Sequence, residues 1–381
     1  MKKAKYIFSI LTVLAMGCFI IWIIFAAGHY RVAQQIEISK VQANDKKYRT
    51  AKDYNENVRK NSDFSREISK ILNSKNFRGT AYVVENNQVV LNKSYNLKRD
   101  NMAYPNRSLD QFLTSVTIMQ YVTRGRISLD TKISRFFPKL TNSKKVAIKD
   151  LINMTSGINN APITEVSGLS DSEIIQKTVD QTVIRKKEIG KQEDSAVNYV
   201  LLAGIIEKLS GKEFSTVMKQ NYFKPYRLNH SFLMSSAKST KQPVIGHTGE
   251  KQAELKLSAS MVAPLIGYNR YAYTAGDMYF MMKSIVQGSI VSRSQVYALL
   301  NNESDDAYSA GFSTLISGAW LSNIAALGTH TLMIISESGN QSVILQTNTD
   351  TTKYNMYNLG KKIYIKLNKN LNTFPNYAKY Q

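Results

Sequence analysis

Apolar and polar positions divide this chain into three regimes. Lys2, Lys3 and Lys5 precede a run from Tyr6 to Ala27 that holds no charged residue. Its 22 positions are enough to cross a bilayer as a helix. The flanking lysines predict a cytoplasmic tail over 1–5, a transmembrane anchor over 6–27 and an extracellular remainder. From 28 to 63 the chain is polar and charge-dense with little periodicity after Ile38, which predicts a stalk. A folded domain is expected over 64–370, with a short tail over 371–381.

Within that domain the periods change twice. FSREISKILNSK carries the helical period, and GTAYVVEN and QVVLNKSYN alternate as strands around Asn86-Asn87, a hairpin signal. Helical patterns then dominate from about Ser108 to Gly288: FLTSVTIMQYVTRG, NYVLLAGIIEKLSG and TAGDMYFMMKSIVQG. Strand patterns return in AGFSTLIS, GAWLSNIAAL, HTLMIISES and QSVILQT, and YNMYNLGKKIYIKLNK closes the domain as an amphipathic helix. Strands, a helical insert, more strands and a last helix predict an α+β domain. One antiparallel sheet would be flanked by helices, with a mainly helical second lobe and a cleft between the two.

Composition adds compartment and partner. Cys18 is the single cysteine, so no intramolecular disulfide forms. Ala15-Met16-Gly17-Cys18 faintly matches a lipoprotein cleavage box, but FIIWIIF follows where polar residues belong, so an uncleaved anchor is the expectation. The formal net charge is +22, which favours an anionic partner. Outside a membrane this leaves phosphate-rich wall polymers or anionic lipid headgroups, and not nucleic acid; the partner expected is a cell-wall polymer, peptidoglycan or teichoic acid. The four histidines show no metal-ligand spacing and no phosphate-cradling glycine loop is present, so no cofactor or metal is expected.

Several phrases carry a family likeness. Ser108-Leu109-Asp110-Gln111 opens a long apolar helix, followed by GRISLDTKISRFFP and IKDLINMTSGI. NYVLLAGIIEKLSGKEFSTVM, FKPYRLNHSF and YTAGDMYFMMKSI come after them in order. The chain from about Phe77 to Leu367 thereby resembles the serine β-lactamase-like and penicillin-binding protein superfamily, of the class C β-lactamase and D-Ala-D-Ala carboxypeptidase type. That resemblance implies a β-lactamase/transpeptidase fold with a serine nucleophile at Ser108. It also implies a lysine one turn later, a Tyr-x-Asn motif, and a strand carrying a basic residue, then Thr or Ser, then Gly.

The chemistry departs from the pattern at each place. Gln111 occupies the lysine position, Asp194 the tyrosine position and Ala196 the asparagine position. The third motif falls near Leu321-Ser322-Asn323, which has no base. His247-Thr248-Gly249 and Ser235-Ser236-Ala237-Lys238 match motifs by letters alone, at the wrong places in the order. Ser108-x-x-Gln111 also reads as a capping box, which would explain both residues structurally. Asp194 has no evident cation beside it. The expectation is a pseudoenzyme that binds an envelope component; the alternative is a residual serine hydrolase, a D-alanyl esterase or carboxypeptidase, acting through Ser108.

Overall fold

The computed structural model describes residues 50–56, 58, 63–97, 99–235, 243–249, 251–300, 308–315, 318–349 and 355–368. The expected cytoplasmic tail, the anchor over 6–27, most of the stalk and the tail over 371–381 lie outside them. Among the described residues no helix is long and apolar enough to cross a membrane.

The chain enters through α1 (Ala51–Glu56) and α2 (Asp63–Ser74), then the hairpin β1 (Gly79–Glu85) and β2 (Gln88–Tyr95). Asn86 and Asn87 both take positive φ, which a two-residue turn matched to strand twist requires. After β3 (Tyr104–Pro105) come α3 (Arg107–Thr123), α4 (Ile148–Ile152), β4 (Ser156–Ile158), α5 (Asp171–Gln181) and β5 (Ile184–Ile189). α6 (Ala196–Ser210), α7 (Phe214–Met218), β6 (Phe232–Leu233), β7 (Gly246–Thr248), β8 (Ala253–Leu255), α8 (Ala259–Val262) and β9 (Tyr271–Tyr273) follow. α9 (Ala275–Val286) and α10 (Arg293–Leu300) precede the returning strands β10 (Ser313–Leu315), β11 (Ala319–Ala326), β12 (Thr329–Ser336) and β13 (Ser342–Thr347). α11 (Met356–Leu367) is the last element among the described residues.

The returning strands join the hairpin in one six-stranded sheet, ordered β10-β11-β12-β13-β1-β2, with every pairing antiparallel. Strand side chains alternate faces, and here the alternation sorts two cores. Ala81, Val83, Leu332, Ile334, Val343 and Leu345 pack with Ile68 and Leu72 of α2 and Ile363 of α11. Tyr82, Val84, Met333, Ile335 and Ile344 pack instead with the helical lobe. On β11, Leu321 belongs to the first set and Trp320 to the second, so Ser322 shares the lobe face with Trp320. α3 lies in that lobe with 13 of its 17 residues buried.

The polar stretch ends earlier than its composition suggests. Residues 51–56 lie inside the expected stalk (28–63), yet Ala51, Tyr54 and Asn55 are buried against the domain. Asn55 donates to Asp277 Oδ1 at 2.7 Å and accepts from Thr274 Oγ1 at 3.0 Å, while Tyr54 O accepts from Tyr82 Oη at 2.8 Å. A Cβ added to Gly276 would stand 2.5 Å from Asn55 Oδ1, so glycine is what admits the helix here. The folded unit therefore includes α1.

Candidate functional site

The helix that presents Ser108 begins one residue before it. Asn106 is the N-cap, its side chain accepting from the Leu109 amide at 2.9 Å, so Ser108 lies inside the first turn. The capping-box reading of Ser108 and Gln111 is thereby corrected: Asn106 does that work, and Ser108 is left free for a tertiary contact. Its hydroxyl hydrogen-bonds to Ser322 Oγ of β11. The third-motif strand thus does meet the nucleophile position, but through a second hydroxyl.

This pair is sealed. Ser108 is 2% exposed, Ser322 3% and Gln111 0%. A tight turn at 309–312, closed by reciprocal backbone bonds between Ser309 and Phe312, sits over α3. Its Gly311 has φ +88°, and a Cβ there would lie 2.6 Å from Ser108 O and 3.2 Å from Gln111 Oε1. The expected cleft is closed at Ser108. Beneath, the Gln111 amide is buried with neither Oε1 nor Nε2 hydrogen-bonded among the described residues.

A base is needed to draw the proton from a serine hydroxyl. Among the described residues no Lys, His, Asp or Glu side chain hydrogen-bonds to Ser108 Oγ. His330 contacts Asn323 Oδ1 at 2.8 Å and shares the β12 parity of Leu332 and Ile334, so it lies on the opposite face of the sheet. His247 bonds to Asn348 O at 3.0 Å and its amide to Gly328 O at 2.8 Å, placing His247-Thr248-Gly249 by the β11–β12 turn. Ser235 is tied to Arg270 Nε at 2.9 Å. Neither His247 nor Ser235 hydrogen-bonds to Ser108, and residues 236–238 lie outside the described residues. Gln111, one turn on, is neutral and cannot accept a proton at physiological pH.

The two positions of the missing second motif part company. Asp194 is half-exposed and pairs with Arg107 at 2.8 Å, which corrects the expectation that it lacks a neighbouring cation. Tyr268 Oη donates to Asp194 Oδ1 at 2.9 Å and accepts from Arg107 Nη1 at 2.7 Å. Ala196 only opens α6 behind the N-cap Ser195. The nearest amide, Asn198, is buried and engaged: it accepts from Ser156 Oγ at 2.5 Å and donates to Ser195 O at 3.1 Å.

Three phenols cluster around this region. Tyr199 Oη donates to Ile152 O at 3.0 Å, Tyr308 Oη donates to Tyr199 Oη at 3.3 Å, and the Tyr268 ring leans on the Tyr199 ring. Burial raises the pKa of all three, so each keeps its proton at neutral pH. No sequence motif flags Arg107 or Tyr268.

Asp110, between Ser108 and Gln111, serves the scaffold. It accepts from the amides of Arg270 (2.5 Å) and Tyr271 (3.0 Å) and from Tyr273 Oη (2.7 Å), binding α3 to β9. Burial pushes its pKa up to about 7 despite those donors.

A sheet of this order, a buried helix aiming a serine at its third-motif strand, and a helical lobe beside them define the serine β-lactamase-like fold. The Beta-lactamase family model matches residues 64–355, and the chain belongs to that family. PbpX of Bacillus subtilis (strain 168), named as a penicillin-binding protein, is 26% identical over 96% of this chain and 95% of its own length. The teichoic acid D-alanine hydrolase of Staphylococcus aureus is 24% identical over 62% of this chain, and the match spans 59% of that protein. Among solved structures, FmtA from Staphylococcus aureus superposes with a TM-score of 0.70 at 21% identity, covering 83% of this chain and 89% of that one. The D-amino acid amidase from Ochrobactrum anthropi SV3 gives 0.65 at 17%, covering 81% and 99%. These superpositions confirm the fold.

Proposed function

We propose that this protein is a catalytically silent, membrane-anchored member of its family that binds a cell-envelope polymer outside the membrane. One observation carries the silence: the hydroxyl at the nucleophile position is buried, bonded to a second hydroxyl, and has a neutral amide where the lysine belongs. Removing a positioned general base costs roughly 10²–10⁴ in rate, and losses within one catalytic unit do not add simply. The apolar run over 6–27 supports the anchor and the positive-inside lysines the orientation. The +22 charge and the likeness to a teichoic acid D-alanine hydrolase support an envelope polymer, peptidoglycan or teichoic acid, as partner. Full-length protein incubated with isolated cell walls should bind in a salt-sensitive way, and Ser108→Ala should bind equally well. A variant that loses binding would return Ser108 to the functional site.

A second reading is a residual serine hydrolase acting on D-alanyl esters, favoured by the same relative. It requires the turn at 309–312 to lift from Ser108 and predicts slow ester turnover that Ser108→Ala abolishes. Turnover unchanged in that variant removes it.

A further inference from the structure

The ribbon β4–β5 and the loop before α4 bring an unusual charge arrangement to one edge of the ribbon. β5 pairs with β4 on one edge, Ile184 opposite Ile158 and Ile189 opposite Ser156. Near its other edge Asn142 Nδ2 donates to Ile184 O at 2.9 Å. The turn then continues through Lys144 and Lys145, and Lys132 Nζ donates to Lys145 O at 3.0 Å. These bonds bring Lys132 and the Lys144-Lys145 turn to the outer edge of the strand that carries Arg185, Lys186 and Lys187, with Lys145 in contact with Lys186.

All six are exposed, and among the described residues none forms a salt bridge. The acids at the borders are taken: Asp130 by Lys149 at 2.7 Å and Glu188 by Lys191 at 3.0 Å. Lys145 and Lys186 stand close enough that contact with the Lys186 amine, slight desolvation and repulsion lower the Lys145 pKa. Like charges held together on a surface cost free energy unless an anion neutralises them. The aromatic residues of this region, Phe136 and Phe137, are buried, so the face offers charge without a stacking platform for sugar rings or bases.

We infer that this lysine face is the polymer-docking surface and that its ligand is a chain of repeating phosphodiesters, the teichoic-acid class, held by its backbone charge. The inference rests on the proposed envelope-binding role and assigns it a place away from Ser108. Lysines act here as mobile point charges, which suits a flexible polyanion better than the bidentate geometry of arginine.

The test uses full-length protein in neutral detergent and immobilised poly(ribitol phosphate) across a salt series. Lys145→Gln with Lys186→Gln should weaken binding by about 25-fold, at roughly fivefold for each lysine near an anionic surface. The slope of log affinity against log salt should shrink by about 1.4, as expected for two lost phosphate contacts on a single strand. Lys70→Gln with Lys75→Gln removes the same net charge from exposed positions on and just beyond α2 and should change affinity less than about twofold. Equal loss in both double variants, or none in the first, overturns the assignment while leaving envelope binding intact. Anionic lipid vesicles that depend on Lys145 and Lys186 when the polymer does not would overturn the choice of ligand. No binding of poly(ribitol phosphate) by the wild type at any salt would overturn the choice of ligand, and no binding to isolated cell walls either would refute the envelope-binding role itself.

Discussion

Replacing Gln111 with methionine should stabilise the domain, and the size of the gain follows from the burial of one amide. Gln111 is 0% exposed, and neither its oxygen nor its nitrogen is hydrogen-bonded among the described residues. An unsatisfied buried polar group costs about 1–3 kcal/mol. Methionine has nearly the same length and volume, and such swaps cost less than about 1.5 kcal/mol in packing. The balance is a gain of up to about 3 kcal/mol. Unfolding entropy near 2.1 cal/mol/K per residue, over a unit of about 300 residues, converts this to a rise of up to roughly 5 °C in Tm. Differential scanning calorimetry of the full-length protein measures it. A fall of several degrees would mean that the amide holds a bound partner, and the reading of Gln111 as a neutral occupant of an abandoned lysine position would fail.

Other consequences are as direct. Gly311→Ala should destabilise by about 1–3 kcal/mol, because its φ of +88° is strained for alanine and the new Cβ would meet Ser108 O; chemical denaturation reads this as a lower midpoint. Asn55→Ala should cost about 2–3 kcal/mol, since it leaves the buried Asp277 carboxylate short of a donor, and an unchanged midpoint would return 51–56 to the stalk. Burial holds His330 down to about 4 and Asp110 up to about 7. As pH falls from about 6.5 to 4, the unfolded chain protonates His330 while the folded one does not, and stability is lost. Over the same range the folded chain takes a proton on Asp110 before the unfolded one, and stability is gained. The two slopes oppose, so His330→Asn should make stability rise as pH drops from 6.5 to 4, and a flat profile in that variant would contradict the pair.

Most of the scaffold was legible because alternation and helical period are local signals. Val83 and Tyr82 announce opposite faces of one strand, and the same parity on β11 sets Ser322 on the lobe side with Trp320, where it meets Ser108. The five ordered phrases fixed the succession of elements, and the departures at Gln111, Asp194 and Ala196 needed only counting. What stayed hidden depends on neighbours far apart in sequence. Asn106 took the cap because the helix starts two residues earlier than a cap at Ser108 would place it. Asp194 gained Arg107 and Tyr268 from two other segments. AKDYNE carries only Ala51 and Tyr54 as apolar anchors, too few to show a helix, and its docking rests on the Asn55–Asp277 bond. Closure of the cleft is likewise a matter of Gly311 packing on Ser108, which no local pattern reports.

On the reading proposed above, Ser108 lacks the means to lose its proton and attack. Incubation of the full-length protein with a fluorescent penicillin, followed by intact-protein mass measurement, addresses it at one atom. No acyl adduct should form after prolonged exposure, in wild type as in Ser108→Ala. A stoichiometric adduct that maps to Ser108 and vanishes in the variant would contradict it.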